Sequence, residues 1–180
     1  EAVLWFIRRP RLIIGLLVGG ALALAGAVMQ GVFSNPLADP GIMGVSAGAS
    51  LGAVIAIALG FTSLGMFYMP AFAFVGAFVS VGITILLTLR NNKLDTTTLL
   101  LAGVAVSMLL GAFTSGILTM INEYRLREFL FWMVGGLDFR RWDHVLLAVG
   151  PIMTGSVILM MLGRHLNVLV LGDTEARALG

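Results

Sequence analysis

The sequence predicts an all-α polytopic membrane protein with five transmembrane helices and one short interfacial or re-entrant helix. Of the 180 residues, 59% are hydrophobic and only 11% are charged, whereas a soluble domain carries about 25% charged residues. The apolar residues form long uncharged runs that short polar segments separate. Runs of this length match the hydrocarbon core of a bilayer, which is about 30 Å thick. We therefore expect the chain to fold within a membrane.

The first predicted span covers residues 12–33, which contain no charged side chain. At about 1.5 Å per residue it extends roughly 33 Å, enough to cross a bilayer. The sequence SNPLADP at residues 34–40 follows it. Pro36 and Pro40 hold the residues before them in extended conformations, so a helix cannot continue through this segment. We expect a rigid turn there.

The second and third predicted spans come from residues 41–89, a stretch without a charged residue. It is long enough to cross the membrane twice, so it must turn once. The turn is predicted at residues 60–65, which begin and end with glycine. The two spans are then residues 41–59 and 67–89.

The fourth and fifth predicted spans are residues 97–121 and 145–163. The polar segment 90–95 precedes the fourth span, and the charged run 122–128 follows it. The fifth span carries Pro151 near its start. Each of the two is long enough to cross the bilayer as a helix.

Residues 129–137 are apolar but too short to cross a membrane. We interpret them as an interfacial or re-entrant helix. Trp132 and Trp142 lie in and just after this segment, and tryptophan concentrates at the level of the lipid headgroups. Both rings are therefore expected at the membrane surface.

Small residues recur at four-residue spacing in two of the predicted spans. Because lipid tails are as apolar as helix surfaces, close helix packing in a membrane relies on such residues. Glycine is also generally frequent in membrane helices, which is the plainer explanation for any single pair. The two stripes are Gly15, Gly19 and Ala23, and Gly44, Gly48 and Gly52.

The positions of lysine and arginine in the loops give a first prediction of orientation. Cytoplasmic loops carry an excess of both residues, and five crossings place the two chain ends on opposite faces. The face of the N-terminus has seven such residues and the other has four, which favours a cytoplasmic N-terminus. The first set is Arg8, Arg9, Arg11, Arg125, Arg127, Arg140 and Arg141, and the second is Arg90, Lys93, Arg164 and Arg177.

The sequence lacks the residues that several kinds of catalytic and binding chemistry require. There is no cysteine, and His144 and His165 have no ligand-like spacing around them, so neither a disulfide nor a zinc cage is predicted. The only lysine, Lys93, follows Asn92, so no Walker-type loop is present, and no hydrolase motif occurs. The predicted spans hold no charged residue of the kind that marks many proton-coupled carriers. A net charge of +2 is too small for a nucleic-acid partner.

Five segments of the chain resemble one family, the permease subunits of ABC importers for iron-siderophores, haem and cobalamin. They are RRPR at residues 8–11, GAVMQ at 26–30 leading into NPLADPG and GVSAGA at 35–49, LLLAGVA at 99–105, WMVGG at 132–136 and LVLGDTEARALG at 169–180. Permeases of this family have ten transmembrane helices. The chain is similar to the stretch from just before the second helix to the cytoplasmic segment after the sixth, and residues 1–180 are expected to be part of a single permease domain.

The resemblance implies a subunit of an ATP-driven importer that moves an iron-siderophore, or haem or cobalamin, across the bacterial cytoplasmic membrane by alternating access. This chain would need no cofactor of its own, because separate ATPase subunits would use the ATP and magnesium. The implied partners are a second permease copy, identical or paralogous, two ATPase subunits and an extracytoplasmic binding protein. The alternative is a membrane protein that does not use ATP, such as a secondary carrier or a structural helical bundle.

The resemblance also implies an orientation and a docking site. The segment after the sixth helix is cytoplasmic in the family, which places the N-terminus outside, opposite to the prediction from loop charges. Arg8 and Arg11 match arginines on the outer rim that receive acidic residues of the binding protein. Exposed ion pairs of this kind set docking orientation and rate more than affinity. Arg9 is better interpreted as an anchor at the headgroups.

Two further sites follow from the resemblance. Asn35, Leu37, Thr96 and Thr97 match the cytoplasmic gate; considered without the family, Thr96 would be the N-cap of the fourth span. The tail matches a short helix that lies in a cleft of the ATPase and carries its motion to the permease. By itself that tail would be a frayed helix that begins a loop, since so short a helix is unstable alone. Its coupling residues are Leu171, Gly172, Asp173 at the N-cap, Glu175, Ala176 and Arg177.

Overall fold

The computed structural model describes residues 3–89 and 96–163, and all of the regular secondary structure in these residues is helical. This confirms the predicted all-α class. A turn of π-helix at Leu4–Arg8 runs into the first helix, and 3₁₀ turns lie at Pro40–Met43 and Phe61–Leu64. The α-helices are α1 Arg9–Val32, α2 Val45–Ala58, α3 Tyr68–Thr88, α4 Thr96–Met120, α5 Glu123–Val134 and α6 Trp142–Met161.

Four helical segments among the described residues are long and apolar enough to cross a membrane. They are Leu4–Val32, Tyr68–Thr88, Thr96–Met120 and Trp142–Met161. The second predicted span differs from the structure, because α2 has only 14 residues and reaches about 21 Å. Its start is set by Gly44, whose φ of 82° interrupts the chain between the 3₁₀ turn and the α-helix.

Helix α5 begins six residues before the predicted interfacial segment and includes most of the charged run. The side-chain oxygen of Asn122 accepts a hydrogen bond from the backbone N–H of Arg125 at 3.0 Å, which caps the helix. Glu123 in the first turn adds a favourable charge at the positive end of the helix dipole. Gly135, with a φ of 68°, ends the helix. The polar cap therefore overrides the boundary that hydrophobicity predicts.

The described residues group into two compact units. One, the α1–α6 unit, consists of the residues before Pro40 together with those after Gly135; the other, the α2–α5 unit, is Pro40–Gly135. In the first unit, the N-terminal ends of α1 and α6 lie together. The indole Nε1 of Trp142 donates to the carbonyl of Trp5 at 3.1 Å, and their ring centroids are 5.7 Å apart. The prediction of one permease domain stays a prediction.

Glycines bring α2 and α3 into backbone contact in the α2–α5 unit. A Cβ atom at Gly48 would strike the carbonyl of Gly76, and one at Gly52 would strike the carbonyl of Phe72. Only glycine permits this approach, so the second predicted stripe is used for packing. In the first stripe, a Cβ atom at Gly19 would meet nothing within 4 Å.

Side-chain hydroxyls of α3 contact the backbone carbonyls at the start of α2. Ser80 Oγ donates to the carbonyl of Gly44 at 2.7 Å, and Thr84 Oγ1 lies 3.2 Å from the carbonyl oxygen of Met43. Both hydroxyl side chains are fully buried. The Gly44 carbonyl also accepts from the backbone N–H of Gly48 at 2.9 Å, and Thr84 Oγ1 also lies 3.0 Å from the Ser80 carbonyl oxygen, so these hydroxyls join α3 to the start of α2 in addition to the helical hydrogen bonds.

Candidate functional site

Five arginines gather at the N-terminal ends of α1 and α6, and we call this set the arginine rim. Its members are Arg8, Arg9, Arg11, Arg140 and Arg141, all in the α1–α6 unit. Asp138 and Asp143 are the acidic residues beside them. The rim therefore carries an excess of positive charge at one end of two apolar helices. Both predicted docking residues, Arg8 and Arg11, belong to it.

The two docking arginines have different surroundings. Arg11 Nη2 lies 3.0 Å from Asp138 Oδ1, and both side chains are more than half exposed. Arg8 is exposed and forms no ion pair with any of the residues that the structure describes. An exposed pair such as that of Arg11 is worth at most about 1 kcal/mol, so a partner carboxylate could displace Asp138. A partner carboxylate that binds the guanidinium of Arg8 displaces no carboxylate of the described residues.

Arg9 has a local partner of another kind. Its guanidinium carbon lies 4.3 Å from the ring centroid of Trp5, a cation–π contact. Trp5 in turn lies against Trp142. This aromatic cluster agrees with the interpretation of Arg9 as an anchor at the membrane surface, where tryptophan rings are common.

The segment after α1 is a tight turn built around Asn35. Asn35 Oδ1 accepts from the backbone N–H of Leu37 at 2.9 Å, and the Asn35 carbonyl accepts from the backbone N–H of Ala38 at 3.1 Å. The Leu37 side chain is 86% exposed, whereas Ala38 is buried. An asparagine that closes a turn on the backbone two residues ahead restricts the chain strongly. The structure thus confirms a turn here and presents Leu37 on its outside.

The other two predicted gate residues open α4. Thr96 and Thr97 are its first two residues and both are exposed. Thr96 is the first described residue of α4, and its interpretation as the N-cap stays a prediction. Because Asn35 and Leu37 belong to the α1–α6 unit and the threonines to the α2–α5 unit, the structure describes the two halves of the gate separately. The gate stays a prediction.

The predicted coupling helix lies outside the described residues. This applies to its six members, which are Leu171, Gly172, Asp173, Glu175, Ala176 and Arg177. Their role in ATPase coupling stays a prediction. Within residues 3–89 and 96–163, no group of three or more His, Asp or Glu side chains is arranged to hold a metal ion.

Arg125 has a structural role that the sequence interpretation missed, since it was counted only as a loop charge. Its Nη1 donates to the carbonyl of Ala58 at 2.7 Å, in the last residue of α2. Phe129, one helical turn later on the same face, is fully buried against Val54 and Ile57. The spacing of Arg125 and Phe129, with Asn122 as cap, was the signal that could have predicted this anchor.

These observations define the class of protein first. It is a helical membrane protein that has, among the described residues, four long apolar helices and a short helix, α2, packed against α3 through glycine. The whole chain, residues 1–180, matches the FecCD transport family. The chain belongs to this family, as the sequence resemblance predicted.

Curated relatives agree along the full chain. It is 41% identical over 181 residues to the cobalamin import system permease protein BtuC of Halobacterium salinarum, covering 100% of this chain and 48% of that protein. It is 39% identical over 180 residues to the vitamin B12 import system permease protein BtuC of Citrobacter koseri, covering 100% of this chain and 54% of that one. An uncharacterised ABC transporter permease of Bacillus subtilis is 37% identical over 177 residues, with coverage of 97% and 50%. The chain spans about half the length of these relatives.

The fold agrees as well. The structure superposes on a solved inward-facing ABC transporter assigned to the metal-chelate type with a TM-score of 0.88. The two are 31% identical, and the match covers 100% of this chain and 57% of the other. The helical arrangement described above is therefore that of an ABC permease.

Proposed function

We propose that this chain is part of the transmembrane permease subunit of an ATP-driven importer for a metal chelate. The observation that carries the proposal is the family match over residues 1–180 together with the TM-score of 0.88 to a transporter of the metal-chelate type. The long apolar helices agree with a transmembrane role. Transport would proceed by alternating access between the two faces of the membrane.

The subunit would work in a larger assembly. We expect a second permease copy, identical or paralogous, two ATPase subunits that bind ATP and magnesium, and an extracytoplasmic binding protein that delivers the substrate. The chain would then be a transporter subunit without enzyme activity of its own, in the cytoplasmic membrane of a bacterium. Its sequence has no Walker-type loop, which is consistent with ATP hydrolysis in a separate subunit.

The substrate belongs to a small set of chelates. The sequence resemblance favours an iron-siderophore, with haem or cobalamin as the other members. The relatives named for cobalamin or vitamin B12 import are 39% to 41% identical to this chain. This similarity supports testing cobalamin on an equal footing with an iron-siderophore. The binding protein encoded with the permease would decide among them by the chelate that it retains on purification.

Three sets of residues have proposed roles in this mechanism. Arg8 and Arg11 would receive acidic residues of the binding protein, and their exposure agrees with that role. Asn35, Leu37, Thr96 and Thr97 would form the cytoplasmic gate. A third proposed set, the segment from Leu171 to Arg177, would transmit motion from the ATPase. All three sets would belong to one permease domain.

Reconstitution of the full-length permease with its ATPase in proteoliposomes tests the function. We expect uptake of a labelled siderophore, haem or cobalamin only with ATP, with the binding protein added on the opposite face. A variant of the ATPase that lacks the Walker lysine serves as the control and should abolish uptake. Uptake that continues in this control and stops when a protonophore dissipates the proton gradient would instead identify a secondary carrier.

A further inference from the structure

A pocket of about 480 Å³ opens at the arginine rim, and Arg11 is the one residue of its wall that the proposed transport cycle uses. Three arginines line it, Arg11, Arg140 and Arg141, and Asp138 is the single acidic residue in its wall. All of its residues belong to the α1–α6 unit. Three positive charges against one negative charge make the pocket suited to an anion.

The arginines differ in how far they are neutralised. Arg11 is paired with Asp138 at 3.0 Å, whereas Arg141 Nη2 is 3.9 Å from Asp143 Oδ2, a loose contact. Arg140 donates from Nε to the carbonyl of Gly136 at 3.0 Å and has no ion pair with any described residue. This bond fixes the side chain while leaving its terminal nitrogens free to donate. Arg140 and Arg141 therefore hold the uncompensated charge.

The rest of the pocket wall is apolar, and the exposed apolar surface of α1 extends it. Phe6 and Ile7 line the pocket with side chains 63% and 58% exposed, and α1 beyond them carries Leu12 and Leu16, 66% and 77% exposed. A free phosphate would make no use of such a wall, whereas an acyl chain would bury it. The wall thus favours a ligand that is anionic at one end and apolar at the other.

Aromatic side chains mark the same end of the α1–α6 unit as the level of the headgroups. Trp5 and Trp142 are in contact there, and tryptophan prefers the interface between lipid and water. Phe139 lines the pocket with a side chain 97% exposed and a φ of 57°. A left-handed backbone conformation is energetically unfavourable for a bulky residue such as phenylalanine. Exposure of the Phe139 ring to water does not offset this energetic cost.

We propose that this pocket binds the headgroup of an anionic phospholipid, with the lipid phosphate on Arg140 and Arg141 and an acyl chain along Phe6 and Ile7. Basic pockets at the membrane surface between helices recognise anionic headgroups in this way. Arg11 lines the pocket and is also a proposed docking residue, but Arg140, Arg141 and the apolar wall have no role in the proposed docking of the binding protein. The acidic surface of a soluble partner would match the charge but would leave the apolar wall uncovered.

Lipid binding to the full-length permease in detergent tests the proposal, with native mass spectrometry as the measurement and phosphatidylglycerol and phosphatidylcholine as probes. Because each of the two arginines is expected to contact the lipid phosphate, Arg140→Gln should weaken phosphatidylglycerol binding about fivefold, and the double change with Arg141→Gln about 25-fold. Arg127→Gln is the matched control, since Arg127 is an exposed arginine outside the pocket. Its binding should equal that of the wild type.

A second measurement needs no variant and so does not depend on how the variants fold. A photoactivatable phosphatidylglycerol should label a peptide that contains residues 137–141 of the wild-type permease. Unlabelled phosphatidylglycerol should compete for this labelling, whereas phosphatidylcholine and inorganic phosphate should not.

Three results would overturn the proposal. The first is equal phosphatidylglycerol affinity in wild type and the double variant. Competition by inorganic phosphate at the concentration that suffices for the lipid would indicate a site for a free anion. Loss of binding-protein association in the double variant, with lipid binding retained, would assign the pocket to the protein partner. None of these results bears on whether the permease transports a chelate.

Discussion

Asn35 closes the turn after α1 with its own side chain, while its neighbour Leu37 points outward. Pro36 and Pro40, on either side of Leu37 and Ala38, prevent helix formation in this segment. The hydrogen bond to the Asn35 side-chain oxygen then favours one compact turn. The same residue is therefore a structural element and a proposed gate residue. Separating the two roles requires substitutions that keep or remove the oxygen that accepts the Leu37 N–H.

Asn35→Ala removes that oxygen, and we expect altered transport or altered coupling of ATP hydrolysis to transport, with assembly intact. The lost hydrogen bond should cost about 1 kcal/mol of turn stability. Uptake and ATPase rates in proteoliposomes measure the effect. Asn35→Asp is the control, because it keeps an acceptor oxygen but loses the amide donor. If Asn35→Ala has wild-type uptake and ATPase rates, Asn35 is only part of a turn and not a gate residue. If Asn35→Asp alone has wild-type rates, the turn matters and the amide donor does not.

The arginine rim allows a second prediction at the level of single charges. Arg8→Glu and Arg11→Glu should each weaken association of the binding protein by about tenfold at low salt, because attraction is replaced by repulsion. The effect should diminish as salt screens the charges. Surface plasmon resonance with the permease in nanodiscs measures it.

Arg8→Lys is the matched control for this experiment, since it preserves the charge, and it should bind within about twofold of wild type. If both charge reversals leave binding and uptake unchanged, the docking assignment is wrong. Arg11→Glu also places a second carboxylate beside Asp138. Its effect should therefore be compared with that of Arg11→Gln before it is attributed to docking.

At the scale of elements, the contact between α2 and α3 depends on glycine. Gly76→Ala would place a Cβ atom against the carbonyl of Gly48, in a backbone contact that cannot move aside as a side chain could. Overpacking of this kind costs about 1–3 kcal/mol or more. We expect a lower thermal unfolding midpoint and a lower yield of folded permease in detergent.

Gly82→Ala is the control on the same helix, because a Cβ atom there meets nothing within 4 Å. It should be neutral or stabilising by up to about 1 kcal/mol, since alanine favours the helix. Equal stability of the two variants would mean that α2 and α3 are not packed as closely as the structure shows.

The anchor of α5 on α2 gives a further prediction at this scale. Arg125→Met keeps much of the apolar stem but loses the hydrogen bond to the Ala58 carbonyl, so we expect a loss of about 1.5–3 kcal/mol. Thermal unfolding of the full-length permease in detergent measures it. Arg127→Met removes an exposed side chain with only a 3.9 Å contact to Glu123 and should stay within about 0.5 kcal/mol of wild type. A similar loss in both variants would rule out the anchor as the cause.

At the scale of the whole molecule, orientation is the open prediction. Loop charges place the N-terminus in the cytoplasm, whereas the family resemblance places it outside. The proposed docking function would explain the discrepancy, since arginines retained for a protein partner would distort a count that reflects insertion alone.

Single cysteines test the orientation, because the 180 residues contain none. Ala176→Cys, outside the described residues, should cross-link to the ATPase and react with an impermeant thiol reagent only from the cytoplasmic side. Leu4→Cys, at an exposed position before α1, should react only from the outer side. Reversed accessibility of the two would overturn both the topology and the proposed coupling role.

Much of the fold was predictable because long uncharged runs have few alternatives in a membrane. Residues 12–33 and 97–121 correspond closely to α1 and α4. Span two was less predictable, since the uncharged residues 41–44 continue the apolar run and only the backbone of Gly44 shows where the helix starts. For α5, hydrophobicity excluded residues 123–128 that the Asn122 cap brings into the helix. The sequence motifs predicted which residues belong to the candidate sites, but they did not predict which residues these contact in the fold.

The sequence by itself determined the membrane class, the approximate spans and the family, because these depend on composition, run length and local motifs. Tertiary structure alone decided that Gly48 and Gly76 touch, that Ser80 donates to the Gly44 carbonyl, that Arg125 holds the end of α2 and that Asp138 pairs with Arg11. The physical reason is that a contact between distant residues depends on where helices cross and how far each side chain reaches. Neither quantity is encoded in the residues on one side of the contact.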